Sequence, residues 1–278
     1  MGIESKLRAT SDLKLTDVDP ASTPGFKGNK DDATKVLAKG VLEIGDLQER
    51  LFAESLTGGT RSVLVVLQGM DTSGKGGTVA HVLGGVDPHG LKIHAFKAPT
   101  PEERAHDFLW RVRPQLPPPG FLGVFDRSHY EDVLIARVHS LAPADEIEKR
   151  YGVIRDFEAE LVKSGTTVIK IMLHISADEQ KKRLLARLDD PNKQWKFNPG
   201  DVAERAYWNQ YQDAYQIAVD RTSTDDAPWY VVPGNHKWFS RLAVQDIILT
   251  HLQNLNPQWP GPTYDVAAQR ADVAASNP

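Results

Sequence analysis

The chain has 278 residues, 40% of them hydrophobic and 25% charged, which is typical of a folded α/β protein and excludes a disordered or fibrous chain. It contains no cysteine, no apolar run near the roughly 18 residues of a membrane helix and no apolar leader, so we expect a cytoplasmic protein without a membrane partner. The chain has 33 basic and 37 acidic residues, so its net charge is −4 and a polyanion must bind a local basic groove. We expect no nucleic-acid partner.

The N-terminal 29 residues are polar and interrupted by Pro20, Pro24, Gly25 and Gly28, which predicts a flexible arm. From residue 30 to residue 56 apolar side chains recur at helical spacing, and a pair of glycines at 58 and 59 ends this predicted helix. We expect the folded domain to span 30–255. Residues 256–278 lack a consistent apolar face and are predicted to form a peripheral tail.

Five apolar runs inside this domain predict strands at 62–68, 91–96, 121–125, 166–174 and 229–232. Most are apolar throughout, as expected for strands buried on both faces of a parallel sheet. The helical patterns among and after them lie at 101–112, 131–139, 145–163, 178–188, 201–221 and 238–255. Strands that alternate with helices predict a doubly wound, three-layer α/β/α fold with a five-stranded parallel sheet.

A phosphate-binding loop is the strongest signal in the sequence. Residues 69–75, GMDTSGK, fit the pattern G-x-x-x-x-G-K between the first strand and a predicted helix at 77–83. Successive N–H groups in such a loop form an anion nest, and Lys75 is placed to reach phosphate oxygens. A simple glycine-rich turn is the alternative. The residues expected to bind phosphate here are Gly69, Thr72, Ser73, Gly74, Lys75, Gly76, Gly77 and Thr78.

Two features of this loop predict a metal ligand inside it. Gly76 stands where a Ser or Thr hydroxyl usually ligates magnesium, and Asp71 lies within the loop itself. A carboxylate beside phosphates repels them unless a cation lies between. We therefore expect Asp71 to help hold Mg²⁺, with Mn²⁺ as a second candidate. The alternative is an Asp that caps the loop through its own backbone.

A second acid ends the third strand, FLGVFD, at Asp126. In a parallel sheet this position lies at the carboxyl edge beside the phosphate loop, where the Walker B aspartate ligates magnesium. An Asp that caps the next helix is the alternative. Arg127 follows directly and is expected to contact the transferring phosphoryl group, unless it pairs only with Asp126.

Residues 178–200 form a basic segment that we predict to be a lid. From 181 to 196 it carries six cations and two acids. Arg183 and Arg187 are four residues apart and share one helix face, so both are expected to close over a phosphoryl group. Lys181 and Lys182 fit a solvated helix face better.

Two further basic residues, Lys97 and Arg111, lie near the second strand and are expected to bind phosphate. Arg111 follows Asp107 by four residues and could instead pair with it. The aromatic residues of the helix predicted over 201–221 fit a core better than base stacking: Trp208, Tyr211 and Tyr215.

The motifs together resemble the family-two polyphosphate kinases, which have a thymidylate-kinase-like P-loop fold with a helical lid. GMDTSGKGG at 69–77 is similar to the Walker A signature of that family, and FDRSHYEDVL at 125–134 to its Walker B signature. Three further segments match in the same order, so the resemblance covers 30–255: HDFLWR, RLDDPNKQWKF and TSTDDAPWYVVP. One departure is PGNHKW at 233–238, where a turn such as ADRKW is expected.

The resemblance implies reversible phosphoryl transfer between inorganic polyphosphate and AMP or ADP with Mg²⁺, in a homodimer or homotetramer. Glu131, where diphosphate-specific members typically have Asn, is similar to members that accept both AMP and ADP, and guanine nucleotides are further candidates. By motif match, the catalytic positions are Asp71, Lys75, Asp126, Arg127 and Arg187, the metal ligands Asp71 and Asp126, and the nucleotide contacts Tyr130, Glu131 and Lys193.

Two other functions stay open at this stage. One is an ATP-dependent nucleoside or nucleotide kinase of the thymidylate-kinase type, and the other a non-catalytic sensor of nucleotide or polyphosphate. The attacking oxygen of AMP or ADP is already an anion, so transfer to it needs cations, metal and alignment more than a general base. The loop lysine and the two acids supply those groups.

Overall fold

The computed structural model describes residues 2–276 of the chain and contains one five-stranded sheet. The strands are β1 (Ser62–Gly69), β2 (Leu91–Ala95), β3 (Leu122–Asp126), β4 (Thr166–His174) and β5 (Trp229–Pro233). They lie in the order β2-β3-β1-β4-β5, and every neighbouring pair is parallel. The predicted parallel α/β fold is therefore confirmed, with β1 at the centre of the sheet.

The helices cover both faces of this sheet. In chain order they are α1 (Glu4–Leu7), α2 (Lys30–Ser55), α3 (Lys75–Val82), α4 (Pro101–Arg104), α5 (Ile135–Val138), α6 (Ala144–Lys163), α7 (Ala177–Asp189), α8 (Gly200–Glu204), α9 (Trp208–Thr222), α10 (Lys237–Leu255) and α11 (Val266–Ala275). No helix within residues 2–276 has the length and apolarity that a membrane crossing requires.

Two hydrophobic cores explain why the strand sequences are apolar throughout. All eight residues of β1 are buried, and successive side chains point to opposite faces. Val63 and Val65 join the core beneath α2, α3 and α10, whereas Leu64 and Val66 join the core beneath α6 and α9. Each face thus needs apolar residues, which gives the three-layer architecture. The edge strand β2 is the exception, since its Ile93 is 51% exposed.

The N-terminal 29 residues are packed, so the prediction of a flexible arm is wrong over much of this segment. Ile3, Leu7 and Leu15 are buried in the two cores. Arg8 forms a β-bridge with Tyr230 of the edge strand β5. These few apolar residues are too widely spaced to show a period, but together they cover the free edge of the sheet. At the other end, residues 261–276 are exposed, and α11 has no buried residue.

Three predicted helices are shorter than expected or divided. The helix predicted over 101–112 ends at Arg104, and the pattern at 131–139 becomes a 3-10 turn, His129–Asp132, followed by α5. Leu134, with φ −97° and ψ −87°, leaves the helical region between them. The pattern at 201–221 is divided into α8 and α9 by a 3-10 turn at Arg205–Tyr207. Apolar spacing persists through tight turns, so periodicity alone joins these segments.

Candidate active site

The phosphate loop joins the central strand β1 to α3 at the carboxyl edge of the sheet. Thr72 and Gly74 have φ values of 64° and 111°, in the left-handed region. Gly69 has φ 150°, and a Cβ there would lie 2.7 Å from the Leu173 carbonyl oxygen, so only glycine fits. A Cβ on Gly76 would meet nothing within 4 Å, because this part of the loop faces open space. The backbone thus forms the open nest that the motif predicts.

The loop opens into a space of about 430 Å³, which we call the loop cleft. Its walls are residues 71–77, the end of β2 with Lys97, the end of β3 with Asp126 and Arg127, and Arg187 and Lys196 of the basic segment. Five cations and two acids therefore line one cleft, which favours anionic ligands.

Lys75 begins α3 and folds back over the loop. Its Nζ donates to the carbonyl oxygen of Gly69 at 2.7 Å and lies 3.5 Å from that of Met70. Burial lowers the pKa of Lys75, the charge of Arg127 lowers it further, and Asp126 and Asp71 oppose the shift. The ammonium group is thus held at the loop by carbonyl oxygens, beside the space where phosphate oxygens would lie.

Asp71, Asp126 and Arg127 meet at the ends of adjacent strands, because β1 pairs with β3 in a register that sets Leu67 opposite Asp126. Arg127 Nη2 donates to Asp71 Oδ1 at 2.8 Å. Asp71 therefore pairs with Arg127 instead of capping its own loop, and Arg127 does not pair with Asp126. The Asp126 carboxylate accepts no hydrogen bond from residues 2–276.

The two carboxylates fit a hard cation in chemical type. Both line the loop cleft, and carboxylate oxygens are ligands that Mg²⁺ prefers. Across the described part of the chain, no group of three or more His, Cys, Asp or Glu side chains is arranged to hold a metal. Phosphate oxygens and water would have to supply the other ligands, as is usual for Mg²⁺ at phosphate sites.

The segment predicted to be a lid begins on α7, which carries Arg187 to the loop cleft. Arg187 Nη1 donates to the Lys196 carbonyl oxygen at 3.2 Å and lies 3.5 Å from Asp201 Oδ2. Lys193, in contrast, is exposed and pairs with Asp190 at 2.6 Å. Arg187 and Lys196 also line a second space of about 400 Å³, the basic cleft, whose other charged residues are Arg183, Lys193, Lys237 and Arg241.

Arg183 does not have the free guanidinium group that a phosphate contact requires. It is 6% exposed, and all of its N–H donors bind protein acceptors. In this conformation protein acceptors therefore occupy the donors of Arg183, although part of its surface lines the basic cleft. Helical spacing predicts that Arg183 and Arg187 share a face, but it does not show that one lies against the loop backbone and the other over the cleft.

Arg111 is also enclosed, whereas Lys97 reaches the loop cleft. Arg111 Nη1 donates to the Lys97 carbonyl oxygen at 2.8 Å, and its guanidinium lies 5.4 Å from the Phe96 ring centre. Its acidic neighbours at 3.9 Å are Glu103 and Asp132, not the Asp107 considered as an alternative. Arg111 thus supports the segment that carries Lys97 and does not line the cleft itself.

Of the three predicted nucleotide contacts, Tyr130 is wrong. Its side chain is fully buried, and its hydroxyl contacts Glu158 Oε1 at 2.8 Å and Thr222 Oγ1 at 2.9 Å. The 3-10 turn at His129–Asp132 directs Tyr130 into the core and its neighbour Glu131 towards the loop. Gln68 Nε2 donates to Glu131 Oε1 at 3.2 Å, and burial raises the pKa of Glu131.

Glu131 lines a third space of about 240 Å³, the acidic pocket, which borders the phosphate loop on its other side. Its polar walls are Asp71, Arg127, Glu131, Gln180, Asn198, Asp201, Glu204, Tyr211 and Tyr215. Tyr215 is buried and Tyr211 half-buried, so both serve the core while presenting part of their surface to the pocket.

Sequence reasoning missed several of these residues. Lys237 and Arg241 lie on the first turns of α10, directly after β5, and the strand-end argument applied to Asp126 would have found Lys237. Gln180 and Asp201 carry no motif of their own. Only the fold brings them beside the loop.

Comparison with known proteins agrees with this geometry. The profile of the family described as Polyphosphate kinase 2 (PPK2) matches residues 27–260. An AMP/ADP-polyphosphate phosphotransferase of Meiothermus ruber is 47% identical over 90% of this chain and 92% of its own length. An ADP-polyphosphate phosphotransferase of Rhodopseudomonas palustris is 41% identical over 88% and 87%.

A solved structure extends the similarity to the whole fold. The crystal structure of polyphosphate kinase 2 from Arthrobacter aurescens TC1 is 54% identical, has a TM-score of 0.97 and covers 99% of this chain and 98% of its own. A putative polyphosphate kinase 2 from Pseudomonas aeruginosa has a TM-score of 0.80 at 33% identity, covering 87% of this chain and 50% of its own. The chain belongs to the polyphosphate kinase 2 family, whose members are phosphotransferases.

Proposed function

We propose that this protein transfers the terminal phosphoryl group of inorganic polyphosphate to AMP and ADP, reversibly and with Mg²⁺. The observation that carries the proposal is the convergence of five cations and two acids on one cleft at the phosphate loop. The names of the relatives from Meiothermus ruber and Rhodopseudomonas palustris support the same donor and acceptors. An enzyme with these acceptors acts where nucleotides are kept, which favours the cytoplasm.

The basic cleft favours a polymeric phosphate donor over ATP. Six Lys or Arg residues line it, none of its described lining residues is acidic, and its one ring is the imidazole of His81. Such a surface suits a chain of phosphates, and among its described lining residues it offers a purine no Phe, Tyr or Trp ring. Because Arg187 and Lys196 line both the basic cleft and the loop cleft, one extended polyanion can contact both.

The acidic pocket is our candidate for the nucleoside of the acceptor. It contains the aromatic rings of Tyr211 and Tyr215 and the carboxylates of Glu131 and Asp201, which can accept hydrogen bonds from ribose hydroxyls or a base amine. Asp71 and Arg127 line both this pocket and the loop cleft. They mark the boundary at which the acceptor phosphate would meet the donor.

The loop, the arginines and the aspartates have separate roles in phosphoryl transfer. Lys75 and the loop N–H groups bind the terminal phosphoryl group, and Arg127 and Arg187 neutralise charge on its equatorial oxygens. Asp71 and Asp126 would hold Mg²⁺, or Mn²⁺ in its place, which supplies further charge neutralisation between the two polyanions. No residue needs to remove a proton, because the attacking phosphate oxygen is already anionic.

The decisive experiment is an assay without ATP. Purified protein is incubated with polyphosphate, Mg²⁺ and AMP, ADP, GMP or GDP, and the nucleotides are separated by anion-exchange chromatography. We expect ADP and ATP from AMP, with the guanine nucleotides showing the base preference. Omission of polyphosphate and the Lys75→Met variant serve as controls, while Arg155→Ala, an exposed residue outside the three spaces, should retain activity.

A second set of samples tests the alternative function, that of an ATP-dependent nucleoside kinase. Parallel samples contain ATP and nucleosides without polyphosphate. Product only in those samples would reject our proposal. Sedimentation of the same protein tests the homodimer or homotetramer that we propose from the family resemblance.

A further inference from the structure

Three successive carbonyl groups of the phosphate loop are bound by side chains of one helix, α7. The Asp71 carbonyl oxygen accepts from Gln180 Nε2 at 3.1 Å. The carbonyl oxygens of Thr72 and Ser73 both accept from Arg183 Nη1, at 3.0 and 2.9 Å. Gln180 and Arg183 of α7 therefore bind the backbone of the loop, whereas Arg187 of the same helix lines the loop cleft.

The remaining donors of Arg183 bind a second loop, the turn between β5 and α10. Nη2 donates to the carbonyl oxygens of Gly234 and Asn235, at 2.6 and 3.1 Å, and Nε donates to Glu179 Oε1 at 2.8 Å. A guanidinium group has five N–H donors, and all five are used here. Arg183 thus joins the phosphate loop to the PGNHKW turn, where the sequence departs from the family pattern.

Asn235 of this turn is itself fixed to α7. Its side-chain oxygen accepts from the Ser176 backbone N–H at 3.0 Å, and its amide nitrogen donates to Ser176 Oγ at 3.2 Å. The start of α7, the turn and the phosphate loop therefore form one hydrogen-bonded unit with Arg183 at its centre.

This unit determines which backbone groups of the loop face the cleft. In a trans peptide the carbonyl oxygen and the following N–H point in opposite directions. The carbonyls of Asp71 and Ser73 point to α7, so the N–H groups of Thr72 and Gly74 point away from it, and neither has an acceptor among residues 2–276. Thr72 has φ 64°, a conformation that persists only where the surroundings hold it.

We propose that Arg183 is a positioning residue that holds the phosphate loop in its anion-binding shape, and that Gln180 supports it through its hydrogen bond to the Asp71 carbonyl oxygen. In this role Arg183 acts through the loop, because its N–H donors bind protein acceptors and not the substrate. The effect on catalysis rests on the proposed polyphosphate activity, whereas the effect on the loop does not.

Charge and geometry can be separated at this position. A lysine keeps the positive charge but carries three donors on one nitrogen, and that nitrogen cannot span two loops. If Arg183 acted by its charge on phosphate, Arg183→Lys would keep much of the activity that Arg183→Met loses. If it acts by holding both loops, the two variants lose activity alike.

The experiment compares Arg183→Lys, Arg183→Met and Gln180→Met with Lys181→Met, an exposed neighbour on the same helix. We expect kcat to fall about 100-fold in both Arg183 variants, because displacement of a binding group by about 1 Å can cost a factor of that size. The decrease should be smaller in Gln180→Met, and Lys181→Met should keep the wild-type kcat. Amide hydrogen exchange, measured by mass spectrometry over residues 69–76, should be faster in the first three variants and unchanged in the fourth.

Near-wild-type kcat in Arg183→Lys, or loop exchange that is unchanged in Arg183→Met, overturns the proposal. If the Arg183 variants do not fold, Gln180→Met, which loses a single bond to the loop, decides by the same exchange measurement. If the wild type does not use polyphosphate, the proposed function fails, but the exchange result still supports or rejects the positioning role.

Discussion

Arg127 Nη2 donates to Asp71 Oδ1 at 2.8 Å, which joins the residue after β3 to the phosphate loop after β1. The Arg127 side chain is 41% exposed and that of Asp71 28%, so the pair is reached by solvent. Ion pairs of this kind contribute about 0–1 kcal/mol to folding stability. The pair can therefore be exchanged for contacts with a cation and a phosphoryl group at little cost to the fold.

Asp71→Asn and Asp126→Asn test the metal-ligand assignment. Each variant keeps the side-chain volume but loses a negative charge, so we expect kcat to fall about 100-fold or more and the Mg²⁺ requirement to rise. The melting temperature should change little, because the Asp71–Arg127 pair is partly exposed and the Asp126 carboxylate accepts no hydrogen bond from residues 2–276. The measurement is turnover against Mg²⁺ concentration, together with thermal unfolding.

The matched control for these two variants is Asp226→Asn. Asp226 is exposed in the connection before β5, at the opposite edge of the sheet. It should keep wild-type turnover and the wild-type Mg²⁺ dependence. Unchanged turnover in Asp126→Asn would reject Asp126 as a ligand.

Lys75→Met should separate activity from stability. Burial lowers the pKa of Lys75 below its usual 10.5, so the charged form is less favourable in the folded state than in the unfolded state. Below its folded pKa this group therefore reduces the free energy of unfolding, and the penalty is relieved as the pH rises towards 10.5. We expect Lys75→Met to keep or raise the melting temperature at neutral pH and to lose most of its turnover. A variant that melts much earlier would make Lys75 a structural residue.

The strand-end argument explains why the central site could be predicted from the sequence. Asp71, Lys75, Asp126 and Arg127 lie within a few residues of apolar strands, and parallel strands end at one edge of the sheet. The pairing of β1 with β3 then follows from topology and sets Asp126 beside the loop. The fold class was predictable for the same reason, because buried parallel strands are apolar without alternation.

Side-chain direction after a tight turn could not be predicted in this way. Tyr130 and Glu131 are adjacent in a matching motif, but the 3-10 turn buries one and directs the other to a pocket. Arg183 and Arg187 share a helix face, but the loop backbone occupies the space at Arg183. These outcomes depend on neighbours distant in sequence, which spacing does not encode.

Tyr130→Phe tests the correction at this position. The change removes a hydroxyl that contacts Glu158 and Thr222 in the core, so we expect the free energy of unfolding to fall by about 1–2 kcal/mol. The KM for AMP and ADP should stay at its wild-type value, because the ring and its packing remain. Urea unfolding and steady-state kinetics measure the two effects. A selective rise in KM with unchanged stability would restore Tyr130 as a nucleotide contact.

Tyr130 belongs to a buried polar cluster behind the site. Lys170 on β4 donates from Nζ to Glu158 Oε2 at 2.5 Å and to the Thr222 carbonyl oxygen at 2.6 Å. Both charged side chains are almost inaccessible to solvent. Burial alone would raise the pKa of Glu158, but the charge of Lys170 and the contact with His129 lower it below its usual value.

Lys170→Met should be the most destabilising of these changes. It leaves Glu158 buried without its cation, and removing one partner of a buried ion pair costs about 3–5 kcal/mol. The double variant Glu158→Met with Lys170→Met leaves no unpaired charge, so we expect it to be more stable than Lys170→Met alone.

Because the folded pKa of Glu158 is lowered, its contribution to stability is present above pH 4.5 and lost as the pH falls through the folded value. Below pH 4.5 the free energy of unfolding of the wild type should therefore fall relative to that of the double variant. Urea unfolding at neutral pH and below pH 4.5 measures this change. A double variant as unstable as the sum of its two single changes would mean that the two side chains act independently.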